Sequence, residues 1–254
     1  MPNKSFRRVC AKKFGLGRVR ILGHCNVDET VSLAHERQIC MLVDLIDNIG
    51  EYRAGRSWSS TIAIYHPVTR QIAASFVACP THLPARLYYA THDGGSFRMK
   101  FTNLYAPNLP VAIHTTDCTS LNAAKLVAFL SDHCLPCQLF LMAAESGRLQ
   151  SVAPPNVAGS LGASLASLAD GDIDGVLNFQ ERLFYTVIPG MIIAFQAGAS
   201  LANGSSVQID RQQLELQLIM PGTLDCRYIA VSSKELIPQL ASLLAPLEPR
   251  QTAS

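Results

Sequence analysis

LPVAIHTTDCTSLNAAKLVAFL (residues 109–130) and TLDCRYIAVSSKELIPQLASLL (residues 223–244) share one pattern. Each opens on a short alternating apolar run, passes through a boundary rich in Ser, Thr and Asp, and continues with apolar residues on one helical face. That order predicts a strand followed by a helix. The two blocks lie roughly 115 residues apart, far beyond the roughly 20–50 residues of a solenoid repeat, so the recurrence predicts two related domain-sized units.

Outward from these blocks, RVRILGHC (18–25) predicts a strand. Asp28, Glu29 and Thr30 supply helix-start chemistry for a segment whose apolar stripe is Leu33, Ile39, Met41, Leu42 and Leu45, with an end near Gly50. STIAIYHPVTRQIAASF (60–76) and ARLYYATHDGGSFRMKF (85–101) predict hairpins, the second turning at Asp93-Gly94-Gly95. A further hairpin is expected over 138–153, turning at Glu145-Ser146-Gly147, and a short helix over 158–168. The stretches 181–198 and 206–220 predict antiparallel strands. The last helix begins at either Lys234 or Pro238, since proline is tolerated in a first turn. The expected boundaries are a basic tail at 1–17, a first unit at 18–153, a linker or short helix at 154–175, a shorter second unit at 176–248 and a polar tail at 249–254. Hairpin connections dominate, which predicts an α+β fold of mainly antiparallel sheets with helices on one face.

Composition bounds the function. Of 254 residues, 48% are hydrophobic and 16% charged, which predicts a folded soluble chain. Runs such as MIIAF (191–195) fall far short of the roughly 20 residues that span a bilayer, so no membrane partner is expected. The net charge of +2 hides an asymmetry: residues 1–20 hold seven basic residues and no acid, leaving 14 basic against 19 acidic residues in the remainder, or −5. Such a tail can grip phosphates, serve as a mitochondrial presequence or a nuclear import signal, or be a solvated terminus. Eight cysteines without a regular framework fit a reducing compartment.

The passage SFRMKFTNLYAPNLPVAIHTTDCTSLNAAKLVAFLSDHCLPCQLFLMAAESGRLQSV (96–152), together with LDCRYIAVSSKELIPQLASLL (224–244), resembles the sliding-clamp superfamily of proliferating cell nuclear antigen and the checkpoint clamp in the order and length of its elements. That resemblance implies a DNA-clamp-like fold of two related domains, the second without a clamp's final strand pair. It implies a non-catalytic subunit of a hetero- or homo-oligomeric ring, partnered by other clamp subunits. It also implies weak, non-sequence-specific contact with double-stranded DNA, a nuclear role in replication or damage response, and no cofactor. The residues that would meet phosphates are Arg7, Arg8, Lys12, Lys13, Arg18 and Arg20 of the tail, with Arg37, Lys125 and Lys234 on helices.

Two chemical alternatives stand beside the clamp. Cys134-Leu135-Pro136-Cys137 at a helix start would suit a thioredoxin-like thiol-disulfide oxidoreductase, with Ile188-Pro189 supplying a cis-proline beside Cys134 and Cys137. No Trp precedes the motif, however, and 125–132 has a helical composition where that fold needs a strand. His114, Cys118, His133, Cys134 and Cys137 have the chemistry of a zinc set, but alternation along a strand separates the first two, and the favoured reading holds no metal. Tyr88, Tyr89, Phe184 and Tyr185 are expected to fill a core rather than to stack on bases. There is no G-x-S-x-G, P-loop or H-E-x-x-H, His35-Glu36 lacks the spacing of a deaminase motif, and Gly15-Leu16-Gly17 precedes a strand rather than following one.

Overall fold

The computed structural model describes residues 19–23, 39–103, 106–129, 135–147, 149, 151–153, 159–180, 184–203, 207–216 and 227–245. The first sheet runs in the order β1 (Val19–Gly23), β2 (Ile39–Asp47), β3 (Ser59–His66), β4 (Gln71–Cys79), β5 (Ala85–Thr91), β6 (Gly95–Asn103) and β7 (Ala106–Pro107), with β8 (Val111–Ala112) also paired to β6. β1 and β2 are parallel and the other pairs antiparallel. Both hairpins expected over 60–76 and 85–101 are present as β3–β4 and β5–β6. Their alternation puts Ala63, Tyr65, Val77, Tyr88 and Ala90 in the core.

The second sheet follows the order β10 (Ser151–Ala153), β9 (Lys125–Phe129), β11 (Gly175–Asn178), β14 (Tyr228–Val231), β12 (Ser200–Asn203) and β13 (Gln208–Ile209). β10, β9 and β11 are mutually parallel, and the rest is antiparallel. Between the sheets lie α3 (Leu161–Ala169) and α4 (Phe184–Gln196), after a short α1 (Ile49–Arg53) and α2 (Leu135–Glu145). α5 (Arg211–Leu216) and α6 (Leu236–Leu244) complete the described helices. One core joins the first sheet, the α3–α4 pair and one face of the second sheet; another joins the opposite face of that sheet to Phe140 and Ala143 of α2 and Leu236, Ile237 and Leu240 of α6.

The stretch that predicted a clamp is where the expectation fails. The described residues of 119–131 are not a helix: Lys125–Phe129 is a strand inside a mixed sheet. Val127 and Phe129 enter one core while Leu126 and Ala128 enter the other. A strand buried on both faces is apolar at every position, and periodicity alone does not separate it from a helix. The recurrent second block does fold as strand then helix, β14 then α6, with Pro238 in the first turn. Two copies of one antiparallel module, wound into a ring segment, are therefore not what the chain forms.

Three other segments also differ from expectation. Of the stripe read as helical, Leu33 lies outside the described residues, and Ile39, Met41, Leu42 and Leu45 belong to the strand β2, buried on both sides over Cys40–Val43. The hairpin expected at 138–153 is α2 followed by β10. In place of the strands expected at 181–198, Phe184–Gln196 is the single helix α4, despite β-prone residues and Pro189 inside it. α4 is wedged between two sheets, so Val187, Ile188, Met191, Ile192, Ile193 and Ala194 are all buried and no polar face marks the helical period. Gly190 lets α3 come close: a Cβ there would sit 2.8 Å from Leu165 Cδ1 and 3.5 Å from Gly162 Cα. Within 206–220, β13 is a strand as expected but Arg211–Leu216 is helical. Its i,i+4 pair Arg211–Glu215 serves the backbone of β4: Glu215 accepts from the Ile72 amide at 3.1 Å and Arg211 donates to the Ile72 carbonyl at 3.0 Å.

A carboxylate ties the far end of α3 to the first sheet. Asp170, immediately past α3, accepts from Arg98 at 2.6 and 2.7 Å, from Arg86 at 3.4 Å and from the Tyr88 hydroxyl at 3.2 Å. Burial pushes the Tyr88 hydroxyl well above the usual tyrosine range. The nearby His82 ring is held below its ordinary value of 6.5, first by burial and then by the charge of Arg86. The unfolded chain therefore takes up a proton at His82 at a higher pH than the folded chain does, so stability is lost as pH falls through and below about 6.5. Urea melts at pH 7.5 and pH 5.5 should show a smaller pH difference for His82→Gln than for the wild type.

Candidate active site

β2 carries the chemistry at its carboxyl end. The run ICMLV is apolar and β-branched or bulky, and then Asp44-Leu45-Ile46-Asp47 places two acids three residues apart. In a regular strand residues i and i+3 face opposite sides. Here the register shifts: Asp44 pairs with Thr61 and Asp47 with Ser59, three steps on β2 against two on β3. That extra residue, a β-bulge, turns both carboxylates to the face that meets α3. Both are buried, at 6% and 5% exposure.

The start of α3 is built to receive them. Ser160 is its N-cap: the side chain accepts from the Ala163 amide at 3.0 Å, and the backbone is extended at φ −88 and ψ 145. Asp47 Oδ2 accepts the Gly162 amide at 2.8 Å and lies 3.5 Å from the Ser59 hydroxyl, which is itself 2.5 Å from the Ser160 hydroxyl. Gly162 is required by this approach, since a Cβ would fall 2.6 Å from Thr61 Cγ2 and 2.9 Å from Ser59 Oγ. Asp44 Oδ1 accepts the Ile46 amide at 3.2 Å, holding the bulge. Thr61 Oγ1 is buried on the same face without a hydrogen-bond partner. Asp47 thus sits buried at the positive end of the α3 dipole, with Asp44 buried three residues earlier on the same strand, an arrangement suited to holding cations and the anions they recruit.

Among the described residues, none of those singled out from sequence lies in this cluster. Arg7, Arg8, Lys12, Lys13, Arg18, Arg37, His133 and Cys134 fall outside the described residues. Arg20 is on β1. Lys125 is on β9 rather than a helix, exposed, with its amide donating to Asp174 at 2.8 Å. Lys234 is exposed in the turn before α6. Cys137 lies in the first turn of α2, and Pro189 is inside α4, whereas the cis peptide among the described residues is Leu83–Pro84. His114 is exposed and Cys118 half-buried in the segment before β9; no group of three or more His, Cys, Asp or Glu able to hold a metal occurs among the described residues. Tyr88 does fill the core, while Tyr89 stacks with Phe76 and Phe97 on the opposite face. A search for binding chemistry among His and Cys passes over Asp44, Asp47 and the GSLG turn at 159–162. The available signal was a pair of acids interrupting an apolar strand at a spacing that only a bulge or a helix brings to one face.

No protein-family model matches the chain, and no curated protein matches it. Solved structures do. An IMPase of Thermotoga maritima superposes with a TM-score of 0.69 at 15% identity, covering 95% of this chain and 79% of that one. Inositol monophosphatase from Anabaena gives 0.65 at 17% identity, over 95% and 83%. The extragenic suppressor protein suhB of Bartonella henselae gives 0.67 at 14% identity, over 94% and 79%. The chain therefore has the fold of the inositol-monophosphatase structures. These likenesses overturn the sliding-clamp resemblance, and with it the non-catalytic ring subunit, the clamp partners and the bound duplex; the thioredoxin-like alternative falls with them.

Proposed function

We propose that the chain hydrolyses phosphate monoesters of small polyols, with Asp44 and Asp47 as the working carboxylates. The observation that carries this reading is the bulge that turns both acids to one face against the start of α3. The fold it shares with proteins named as inositol monophosphatases supplies the substrate class.

Two carboxylates and a phosphate dianion repel one another strongly in a buried site unless a cation sits between them. Magnesium commonly takes one or two protein carboxylates and fills its remaining positions with water and phosphate oxygens, and the buried pair Asp44 and Asp47 offers two such carboxylates. Asp44 and Asp47 would hold the ion, which when bound supplies Lewis-acid neutralisation of the ester oxygens. The rest falls to the chain's own residues. Gly162 and Ser59 fix one oxygen of Asp47 so that its placement is set before substrate arrives. The Ser160 cap keeps the first turn of α3 intact, and its dipole favours an anion nearby.

Inorganic phosphate release from inositol 1-phosphate tests this reading. Release should occur with Mg²⁺, stop on chelation by EDTA and return when Mg²⁺ is restored. No release from any of a panel of polyol monophosphates would contradict the proposal, and release that survives chelation would contradict the cation's part in it.

A further inference from the structure

We infer that Asn48 is a positioning residue that sets the distance between Asp47 and the first turn of α3. This rests on the reading of Asp47 given above. Asn48 follows Asp47 directly and holds a left-handed backbone, φ 68 and ψ 71. Its single amide group joins two loops. Oδ1 accepts the Glu51 amide at 3.3 Å, capping α1, while Nδ2 donates to the Gly159 carbonyl at 2.8 Å, across 111 residues of sequence. Gly159 is itself left-handed at φ +65 and packed against Ser57, so the carbonyl it offers is fixed in place. The next residue is Ser160, the cap of α3.

The bond from the Gly162 amide to Asp47 is thus bracketed. On one side stands Asn48–Gly159; on the other, Ser59–Ser160. Only a short side chain carrying both an acceptor and a donor, on a residue that tolerates left-handed backbone, does what Asn48 does here. Aspartate keeps the conformation and the α1 cap but has no donor for Gly159. Glycine keeps the conformation alone. Asn48 acts through Asp47, so its loss should lower turnover while leaving substrate affinity in place.

The experiment compares wild type, Asn48→Asp and Asn48→Gly by amide hydrogen exchange at Gly162 and by kcat and KM for phosphate release from inositol 1-phosphate. In Asn48→Asp, exchange at Gly162 should quicken at least about tenfold and kcat should fall at least about tenfold, with KM within about twofold and Tm within a few degrees. Asn48→Gly should behave the same way, which keeps the test valid if the aspartate variant folds poorly. Unchanged exchange, or quicker exchange with unchanged kcat, overturns the inference. If the wild type releases no phosphate, the reading of the site fails, and the exchange measurement alone then decides whether the Asn48 latch exists.

Discussion

Asp47→Asn should lower kcat/KM for phosphate release by on the order of 10²-fold or more, while leaving the fold in place. The amide is nearly isosteric, and its carbonyl oxygen can still accept the Gly162 amide that Asp47 accepts at 2.8 Å. What it loses is the negative charge. Stability should change little, because Asp47 makes its described contacts with a backbone amide and a serine hydroxyl and not with a cationic partner. Steady-state phosphate release and a thermal melt on the same preparation check both halves. A melt shifted by more than a few degrees would mean that Asp47 is chiefly structural.

Asp170→Ala should behave in the opposite way, costing stability before it costs chemistry. Its carboxylate is 3% exposed and answers to Arg98, Arg86 and the Tyr88 hydroxyl. Removing it leaves the Arg98 guanidinium, about one-fifth exposed, without its counter-charge, while Arg86 keeps Asp172 at 3.0 Å. Breaking such a pair from one side costs about 3 kcal/mol, which for a domain of this size lowers Tm by roughly 6–12 °C. Asp170→Asn, which keeps an acceptor, should lose less. A differential-scanning melt of the two variants decides it, and an alanine variant as stable as wild type would show that α3 is held by packing alone.

What could be read from the sequence follows from which faces are wet. The β3–β4 and β5–β6 hairpins are legible because their strands alternate between one buried and one half-exposed face. α6 is legible from the Ser-rich boundary before it and an apolar stripe opposite an exposed face. β9 and α4 are not: each is enclosed on all sides, so Leu126, Val127, Ala128 and Phe129 in one and Val187 through Ala194 in the other read as plain apolar runs. The order of layers depended on just those two segments, and misreading them produced a ring in place of two sheets around a helix pair. The site was hidden for a different reason. Asp44 and Asp47 become neighbours only through the bulge opposite Ser59 and Thr61, and their companions Ser160 and Gly162 arrive from more than a hundred residues away. Local spacing carries neither fact.

The proposed hydrolysis requires that the β2 bulge make Asp44 and Asp47 act as one unit on a phosphate ester. A double-mutant cycle of Asp44→Asn and Asp47→Asn, read by phosphate release from inositol 1-phosphate, addresses it directly. Residues that work as a unit are far from additive, so the double variant should be scarcely slower than either single one. Losses that multiply, or a wild type that releases no phosphate, would contradict the account.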